Sequence, residues 1–403
     1  MNILFVADVS ISELIGGAER VLYEQTTRLA ARGHNVFLLT RKLTNQNSYS
    51  ESIQGVDEHR YDCRLKNPLT FLYSSWINSK NIFERLNQKV NFDCINFHQP
   101  FSAIGVVNSS MSAQTPKIYT CHSLSHEEFL SRNNHSQHLF LRVKNLIQTW
   151  GYKRAENYVL NKADEVVALS NFTKKKLIHL HNISIERIQV VPGGVDLNKF
   201  FPAIDKIKIR KQLNIVQDKV ILFTVRNLVQ RMGLDNLIVA FQKIAKDAEG
   251  IQLVVGGTGP LEDGLIALTR NLGIEHKVHF VGFIPEDRLP LYYQMADLFV
   301  LPTKELEGFG LVTLEAMASG LPVIGTPIGG TREILGNFNA EFLFDDNQPD
   351  SIAKLALEKY LIIKNNPQRW NQISKQCRKF VEKNYSWKKN IDSLEQLFQN
   401  DKS

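Results

Sequence analysis

The sequence predicts an α/β protein of two doubly wound domains, each a mostly parallel sheet with helices on its faces. Three observations predict it. Short β-rich runs alternate with longer helical stretches along the 403 residues, the order that builds parallel sheets from βαβ units. The alternation starts afresh near residue 220. Between the two series lies "PGGVDLNKFFPAIDKI", whose two prolines and glycine pair interrupt helix and strand alike and mark a linker.

In the first half, strands are expected in "NILFVAD", "NVFLLT", "FDCINFH", "KIYTCH", "EVVALS" and "IQVVPGG". Between the first two, "GGAERVLYEQTTRLAARG" spaces Val21, Leu22, Leu29 and Ala30 along one side of a helix and ends at Gly33, a good C-terminal cap. In the second half, strands are expected in "VILFTV", "QLVVGG", "VHFVGF", "LFVLPT", "PVIGTP" and "EFLFD", with helices near 234–247, 262–272, 309–319 and 350–365. A last helix is expected after Tyr385, in "SWKKNIDSLEQLF".

Composition narrows the classes. Hydrophobic residues make up 43% and charged residues 22%, enough apolar material for two cores. A net charge of +7 suits an anionic partner, whether nucleotide, membrane surface, acidic acceptor or nucleic acid, and also a merely basic surface. The opening "MNILFVADVS" is too short an apolar run for a signal peptide and is interrupted by Asp8, so it reads as the first strand. No apolar run approaches a membrane span of roughly 20 residues. Cys63, Cys94, Cys121 and Cys377 form no C-x-x-C pair and read as free thiols of a reducing cytosol.

Ligands of open parallel sheets bind at the carboxyl ends of strands. The segment "KELEGFGLVTLEAMASG" follows one such strand. Gly308 and Gly310 permit a tight turn, and the amides of Leu311 and Val312, at the helix start, would face an anion such as a diphosphate. Leu311, Leu314 and Ala318 form an apolar stripe, and Glu315 falls on it. Burying an unpaired carboxylate is costly, so Glu315 is expected to have a specific partner such as a hydroxyl pair. His122 ends the strand "KIYTCH", where it can donate to a substrate or serve only structure. Arg226 and Arg231 follow "VILFTV", and guanidinium groups match phosphate oxygens. "GGAER" and "GGTGPLEDG" are glycine-rich turns, but neither fits G-x-G-x-x-G, so the dinucleotide fingerprint is absent. No Asp-x-Asp pair and no metal-ligand spacing of histidines is present, so no metal is expected.

Together these residues resemble the retaining GT-B glycosyltransferases, in particular glycosyltransferase family 4. The resemblance is strongest in "VVPGGVDLNKF", "VVGGTGPLEDGL", "VHFVGFIPEDRLPLYYQMADLFVLPT" and "EGFGLVTLEAMASGLPVIGTPIGGTREIL", with "GGAERV" in support. It implies two Rossmann-like domains facing across a cleft. The acceptor-side domain would span 1–197, with the final helix, within 384–403, packing back on it. The donor domain would span 198–383.

The resemblance also implies roles. Glu307 would contact hydroxyls of the donor sugar. Gly308, Phe309, Gly310, Leu311 and Val312 would present amides to sugar and diphosphate. Glu315 would bind the ribose hydroxyls. His122 would contact the donor sugar and steady positive charge at its anomeric carbon. Gly16 and Gly17 would let the N-terminal loop close on the donor, and backbone near Ile284 would read the base. One departure concerns the basic pair that grips the diphosphate. Aligned on Gly233, Asn227 and Met232 take its places, while Arg226 and Arg231 keep the same separation one position earlier. These two arginines are expected to serve instead.

The expected reaction is metal-independent transfer of a sugar, from a UDP-sugar or GDP-sugar, to a hydroxyl of a glycan, lipid or small molecule. Attack on the same face, with the departing phosphate oxygen taking the acceptor proton, needs no separate base. Three other classes are weighed against it. A catalytically silent nucleotide-sugar binder is opposed by the full set of glutamates, His122 and arginines. A nucleic-acid-binding protein is opposed by the dispersal of the basic residues, since "FTKKKL" is the single tight run and reads as a solvated helix face. An oxidoreductase is opposed by the missing fingerprint. "HLFLRVKNLIQTWGYKRAENYVL", from His138, mixes basic residues with Phe140, Leu141, Trp150 and Tyr152. It suits either a core and acceptor-side helix or peripheral contact with the inner face of a membrane. The oligomeric state is left open.

Overall fold

The computed structural model describes residues 1–12, 16–43, 48–65, 67–133 and 139–400. In chain order the elements are β1 (Asn2–Val6), α1 (Gly17–Ala31), β2 (Asn35–Arg41), β3 (Ser50–Ile53), β4 (Val56–Tyr61), α2 (Pro68–Asn87), β5 (Cys94–Phe97), α3 (Pro100–Val107), β6 (Lys117–Cys121), α4 (Ser125–Asn133), α5 (Leu139–Lys162), β7 (Glu165–Ala168), α6 (Asn171–His181) and β8 (Ile188–Val190). They continue with α7 (Lys206–Gln212), β9 (Val220–Val225), α8 (Leu234–Asp247), β10 (Ile251–Gly256), α9 (Glu262–Asn271), β11 (Val278–Gly282), α10 (Leu289–Met295), β12 (Leu298–Leu301), α11 (Leu311–Ala318), β13 (Val323–Gly325), α12 (Gly329–Phe338), α13 (Pro349–Asn365), α14 (Pro367–Asn384) and α15 (Trp387–Asn400). The chain divides into two compact units, Met1–Gly193 with Trp387–Ser403, and Gly194–Ser386. The first division falls inside the proline–glycine segment, where neither helix nor strand can run through.

In the first unit the strands lie in the order β3-β4-β2-β1-β5-β6-β7-β8, parallel except that β3 pairs antiparallel with β4. Successive side chains of a strand point to opposite faces, and β1 shows it. Leu4 and Val6 join Phe83, Phe97, Val106, Val159 and Leu177 under α2, α3, α5 and α6. Ile3 and Phe5 join Leu22, Leu38, Ile391, Leu394 and Phe398 under α1 and α15. The last helix thus completes the core of the first unit. The strand order turns back between β1 and β5, which makes that pair the switch point.

The hairpin β3–β4 was not expected from the sequence. Its residues "SESIQGVDEHRY" are polar and carry no clean alternation, because β3 is an edge strand with exposed side chains. Its turn is nonetheless conventional: Gln54 and Gly55 both take positive φ, 49° and 83°, as a tight hairpin requires. Arg60 is buried there against Glu58 and Glu51, at 2.8 and 2.7 Å.

In the second unit the order is β11-β10-β9-β12-β13, all parallel. The core on one side joins Leu222, Leu253 and Val300 to Leu237, Phe241, Leu265, Ile352 and Tyr360 of α8, α9 and α13. The switch point is the β9/β12 pair. The segment "EFLFD" departs from expectation. Phe342 and Phe344 are both buried, which mimics a strand pattern. However, Asn339 caps a short 3-10 turn at Ala340–Phe342, and only Leu343 bridges to Gly325. Helix α11 also differs, in that it is buried nearly all round rather than along a stripe.

Candidate functional site

Elements of the second unit converge at the carboxyl ends of β9 and β12. Arg226 follows β9 directly, and Glu307 lies in the loop after β12. Arg226 Nη2 donates to Glu307 Oε2 at 2.5 Å, and Thr303 Oγ1 donates to the same oxygen at 3.3 Å. Arg226 is buried, and its Nε and Nη2 also point at Met232 Sδ, at 3.2 and 2.8 Å. Its Nη1 is buried with no hydrogen-bond partner among the described residues. Such a donor is uncommon in a folded protein and marks a place for an acceptor group.

The backbone around Glu307 is fixed from a second side. Gly330 N–H donates to Glu307 O at 3.0 Å, and a Cβ on Gly329 would lie 1.8 Å from that oxygen. Only glycine admits so close an approach. Gly308 lies within the same loop, and Gly310, at φ 95°, caps α11 so that Leu311 and Val312 open its first turn. Those amides have no carbonyl within the helix to accept from them. Phe309 is buried with its ring 6.1 Å from that of Tyr385. Arg231 takes a different place from Arg226. It is half-buried, its Nη1 donates to Leu306 O at 3.1 Å, and its own carbonyl accepts from Lys304 N–H at 2.8 Å. Of the residues at the family's basic positions, Asn227 is exposed and Met232 is buried against Arg226.

Glu315 is 2% exposed and does have a specific partner, the Tyr293 hydroxyl, which donates to Oε2 at 2.8 Å. That partner was not legible in the sequence, because Tyr293 lies on a separate helix, α10. Ile284 follows β11 and is buried, and a Cβ on Gly256 would press within 2.5 Å of its Cδ1. Gly256, the last residue of β10, therefore serves close packing beside Ile284.

In the first unit, His122 follows β6 and meets a histidine that sequence reasoning passed over. His98, in "FHQP" after β5, places Nδ1 2.8 Å from His122 Nε2. Burial pushes the His122 imidazole down to about 4 and His98 well below its ordinary value, His122 adding to the latter. Both rings are therefore neutral near pH 7, and one N–H joins them. His122 Nδ1 and His98 Nε2 are buried without a hydrogen-bond partner among the described residues. Next to them, after β1, burial raises the Asp8 carboxyl against the opposing pull of Ser102 and Arg41. Asp8 Oδ1 accepts from Ser102 N–H at 2.8 Å, and Tyr61 Oη lies 2.6 Å from Ser102 Oγ. Gly16 caps α1 and Gly17 opens it, while residues 13–15 of the preceding loop lie outside the described residues.

The fold also gathers histidines that the sequence spacing kept apart. His126 Nδ1 and His181 Nε2 lie 3.3 and 3.1 Å from Glu156 Oε2, all three buried, a set that could hold a metal ion. Glu156 Oε1 accepts from Ser125 N–H and Oγ–H, at 3.0 and 3.1 Å. Burial raises the Glu156 carboxyl, but the hydrogen bonds of His126 and His181 outweigh it and hold the group below its usual range. The arrangement is that of a buried carboxylate hydrogen-bonded by Ser125 and His126, with His181 Nε2 beside it, tying α4, α5 and α6 together. The "FTKKKL" lysines are likewise engaged in part. Lys174 Nζ donates to Ile188 O and Lys176 pairs with Glu127, at 2.9 and 2.6 Å, and only Lys175 is exposed.

The family model "Glycosyl transferases group 1" matches residues 205–401, and "Glycosyltransferase Family 4" matches residues 15–199. Mannosylfructose-phosphate synthase of Agrobacterium fabrum is 29% identical over 352 residues, 82% of this chain and 75% of that protein. Other curated relatives are matched over about half their own length. Among solved structures, sucrose-phosphate synthase from Thermosynechococcus elongatus superposes with a TM-score of 0.81 at 22% identity, covering 99% of both chains. HepE of Anabaena, solved with UDP, gives 0.77 at 18% identity, covering 99% of this chain and 100% of that one. With two parallel-sheet Rossmann-like units and consecutive matches to both family models, the chain belongs to the GT-B glycosyltransferases of family 4.

Proposed function

We propose that the protein transfers a sugar from a nucleoside diphosphate, UDP or GDP, to an acceptor hydroxyl, with the anomeric configuration retained and no metal required. The observation that carries the reading is the Arg226–Glu307 pair at the β9/β12 switch point, beside the first turn of α11. Departure of the diphosphate builds negative charge on the leaving group and positive character on the sugar. Arg226, through its unpartnered Nη1, Arg231 and the amides of Leu311 and Val312 would take the first. These cationic and amide donors would do the work that a divalent cation does in other transferases. Glu307 would hold sugar hydroxyls, oriented by Arg226, Thr303 and the backbone of Gly330. Glu315 would hold the ribose hydroxyls, with Tyr293 fixing its carboxylate, and backbone at Ile284 would meet the base.

The Arg226 guanidinium reaches Met232, which stands at the family's lysine position. The cation would thus be delivered from the opposite end of the loop to much the same place. His122 would contact the donor sugar as a neutral imidazole, its tautomer set by His98. The acceptor, a glycan, lipid or small molecule, would be met by the first unit near Asp8. Same-face attack, with the leaving phosphate oxygen accepting the acceptor proton, fits a site whose one central carboxylate is already tied to an arginine.

The test is Glu307→Gln, which keeps an acceptor for Arg226. Transfer is expected to fall at least about a hundredfold, with an unchanged melting temperature and near-normal affinity for UDP or GDP by calorimetry. Turnover close to wild type would remove Glu307 from the reaction. Donor binding without transfer or hydrolysis in the wild-type chain would identify a silent binder instead.

A further inference from the structure

Two helices of the first unit carry apolar residues where the fold has no use for them. On α5, Val143, Ile147 and Trp150 are exposed, Ile147 by 64% and Trp150 by 61%. At spacings of four and three they follow one line along the helix, with Leu146 beside it, also exposed. On α2, Leu69, Tyr73 and Trp76 form a second such line, Leu69 being 79% exposed. Both helices pack on α3 on the same side of the sheet. Phe101 of α3 touches Phe71 of α2 and Tyr152 of α5, with ring centroids 5.2 and 4.8 Å apart.

The topology places these residues at one end of the unit. Helix α5 ends three residues before the start of β7, so its first residue lies toward the carboxyl ends of the strands. Its 24 residues make a rod of about 36 Å, whereas the four residues of β7 span only about 13 Å. The first half of α5 therefore overshoots the sheet at the end where Asp8, His98 and His122 lie. Helix α2 starts from the same end, after β4.

We infer that this face docks on the surface of an anionic lipid bilayer. Charge selects that occupant. Helix α5 carries Arg142, Lys144, Lys153, Arg154 and Lys162 against a single acid, Glu156, which is buried and engaged by Ser125 and the two histidines. Arg154 lies over the Trp150 ring at 5.0 Å, keeping its charge beside the apolar line. Tryptophan, tyrosine and aliphatic residues flanked by lysine and arginine suit the headgroup boundary. A second copy of the chain would set these like charges against one another with no surface acid on the helix to meet them. No helix among the described residues is long and apolar enough to cross a membrane, so the contact is one of lying on the surface. The inference deepens the proposed function by presenting a lipid-borne acceptor at the acceptor end. Only that consequence rests on the transferase reading.

The experiment is co-sedimentation of the full chain with vesicles of phosphatidylcholine alone and with added phosphatidylglycerol. It needs no turnover, so its failure and that of the transferase reading are separable. The protein is expected to pellet with the anionic vesicles at low salt, and partition should weaken at least about tenfold in high salt. An Ile147→Ser/Trp150→Ser double variant should partition at least about tenfold less while its circular dichroism and melting temperature stay unchanged. Arg142→Glu/Lys144→Glu should lose the preference for anionic vesicles. A wild-type chain that stays in the supernatant at low salt overturns the proposal. So does an Ile147→Ser/Trp150→Ser variant that pellets like wild type. Concentration-dependent dimerisation abolished by that variant, without vesicle binding, would assign the face to a second copy.

Discussion

At the scale of single residues, the buried histidine pair makes the most direct demand on solution behaviour. Burial holds His122 at about 4 and His98 well below the ordinary value of 6.5. Below 6.5 the unfolded chain therefore binds more protons than the folded one, and stability falls as pH falls. The contribution is fully present above pH 6.5 and is lost progressively toward pH 4, by on the order of 3 kcal/mol for His122. Urea unfolding of a His98→Gln/His122→Gln variant should show a flatter dependence on pH over that window than wild type. An equal slope in both would mean that the pair does not titrate as its burial requires. Glu307 and Glu315 were visible in the sequence because one sets a carboxylate beside an expected anion site and the other sets one on an apolar stripe. Their partners were not. Arg226 is 81 residues from Glu307, Tyr293 is 22 from Glu315, and His98 is 24 from His122. No local pattern records a contact made by the chain returning from another strand.

At the scale of elements, the loop between β12 and α11 is shaped as much by its neighbours as by its own glycines. Gly233, at φ 70°, precedes α8, and a Cβ there would stand 1.9 Å from Pro302 O. Gly233→Ala is therefore expected to destabilise the second unit by about 3 kcal/mol, and to weaken donor binding by displacing Pro302 and the loop that carries Glu307. Thermal unfolding and calorimetry with UDP or GDP would show both effects. A variant with wild-type melting temperature and affinity would show that the loop yields freely. Most elements were legible because burial imposes a period on buried strands and helices. The exceptions follow the same physics. The β3–β4 hairpin is an exposed edge and has little to bury, while "EFLFD" has the period but lies where a capped turn takes the backbone away from the sheet.

At the scale of the whole molecule, the final helix returns to the unit from which the chain began. Ile391, Leu394 and Phe398 of α15 are fully buried with Phe5, Leu22 and Leu38, and Phe398 sits edge-on to Phe5 at 6.4 Å. Removing residues 387–403 would uncover these side chains and lose on the order of 5 kcal/mol, a large part of a typical domain's stability. The truncated protein is expected to show early denaturant unfolding of the first unit and a near-normal transition for the second. A single transition at the wild-type midpoint would rule out this role for α15. The sequence by itself determined the two α/β units, the linker between them, the strand-end residues and the family, because periodicity, turn chemistry and motif spacing are local properties of a chain. Only the tertiary structure decided which groups those residues meet: arginine on glutamate at one switch point, histidine on histidine near the other, and an apolar, basic helix face left on the outside. Those pairings depend on which strands lie side by side and on how far a helix outruns its sheet, which no stretch of sequence encodes alone.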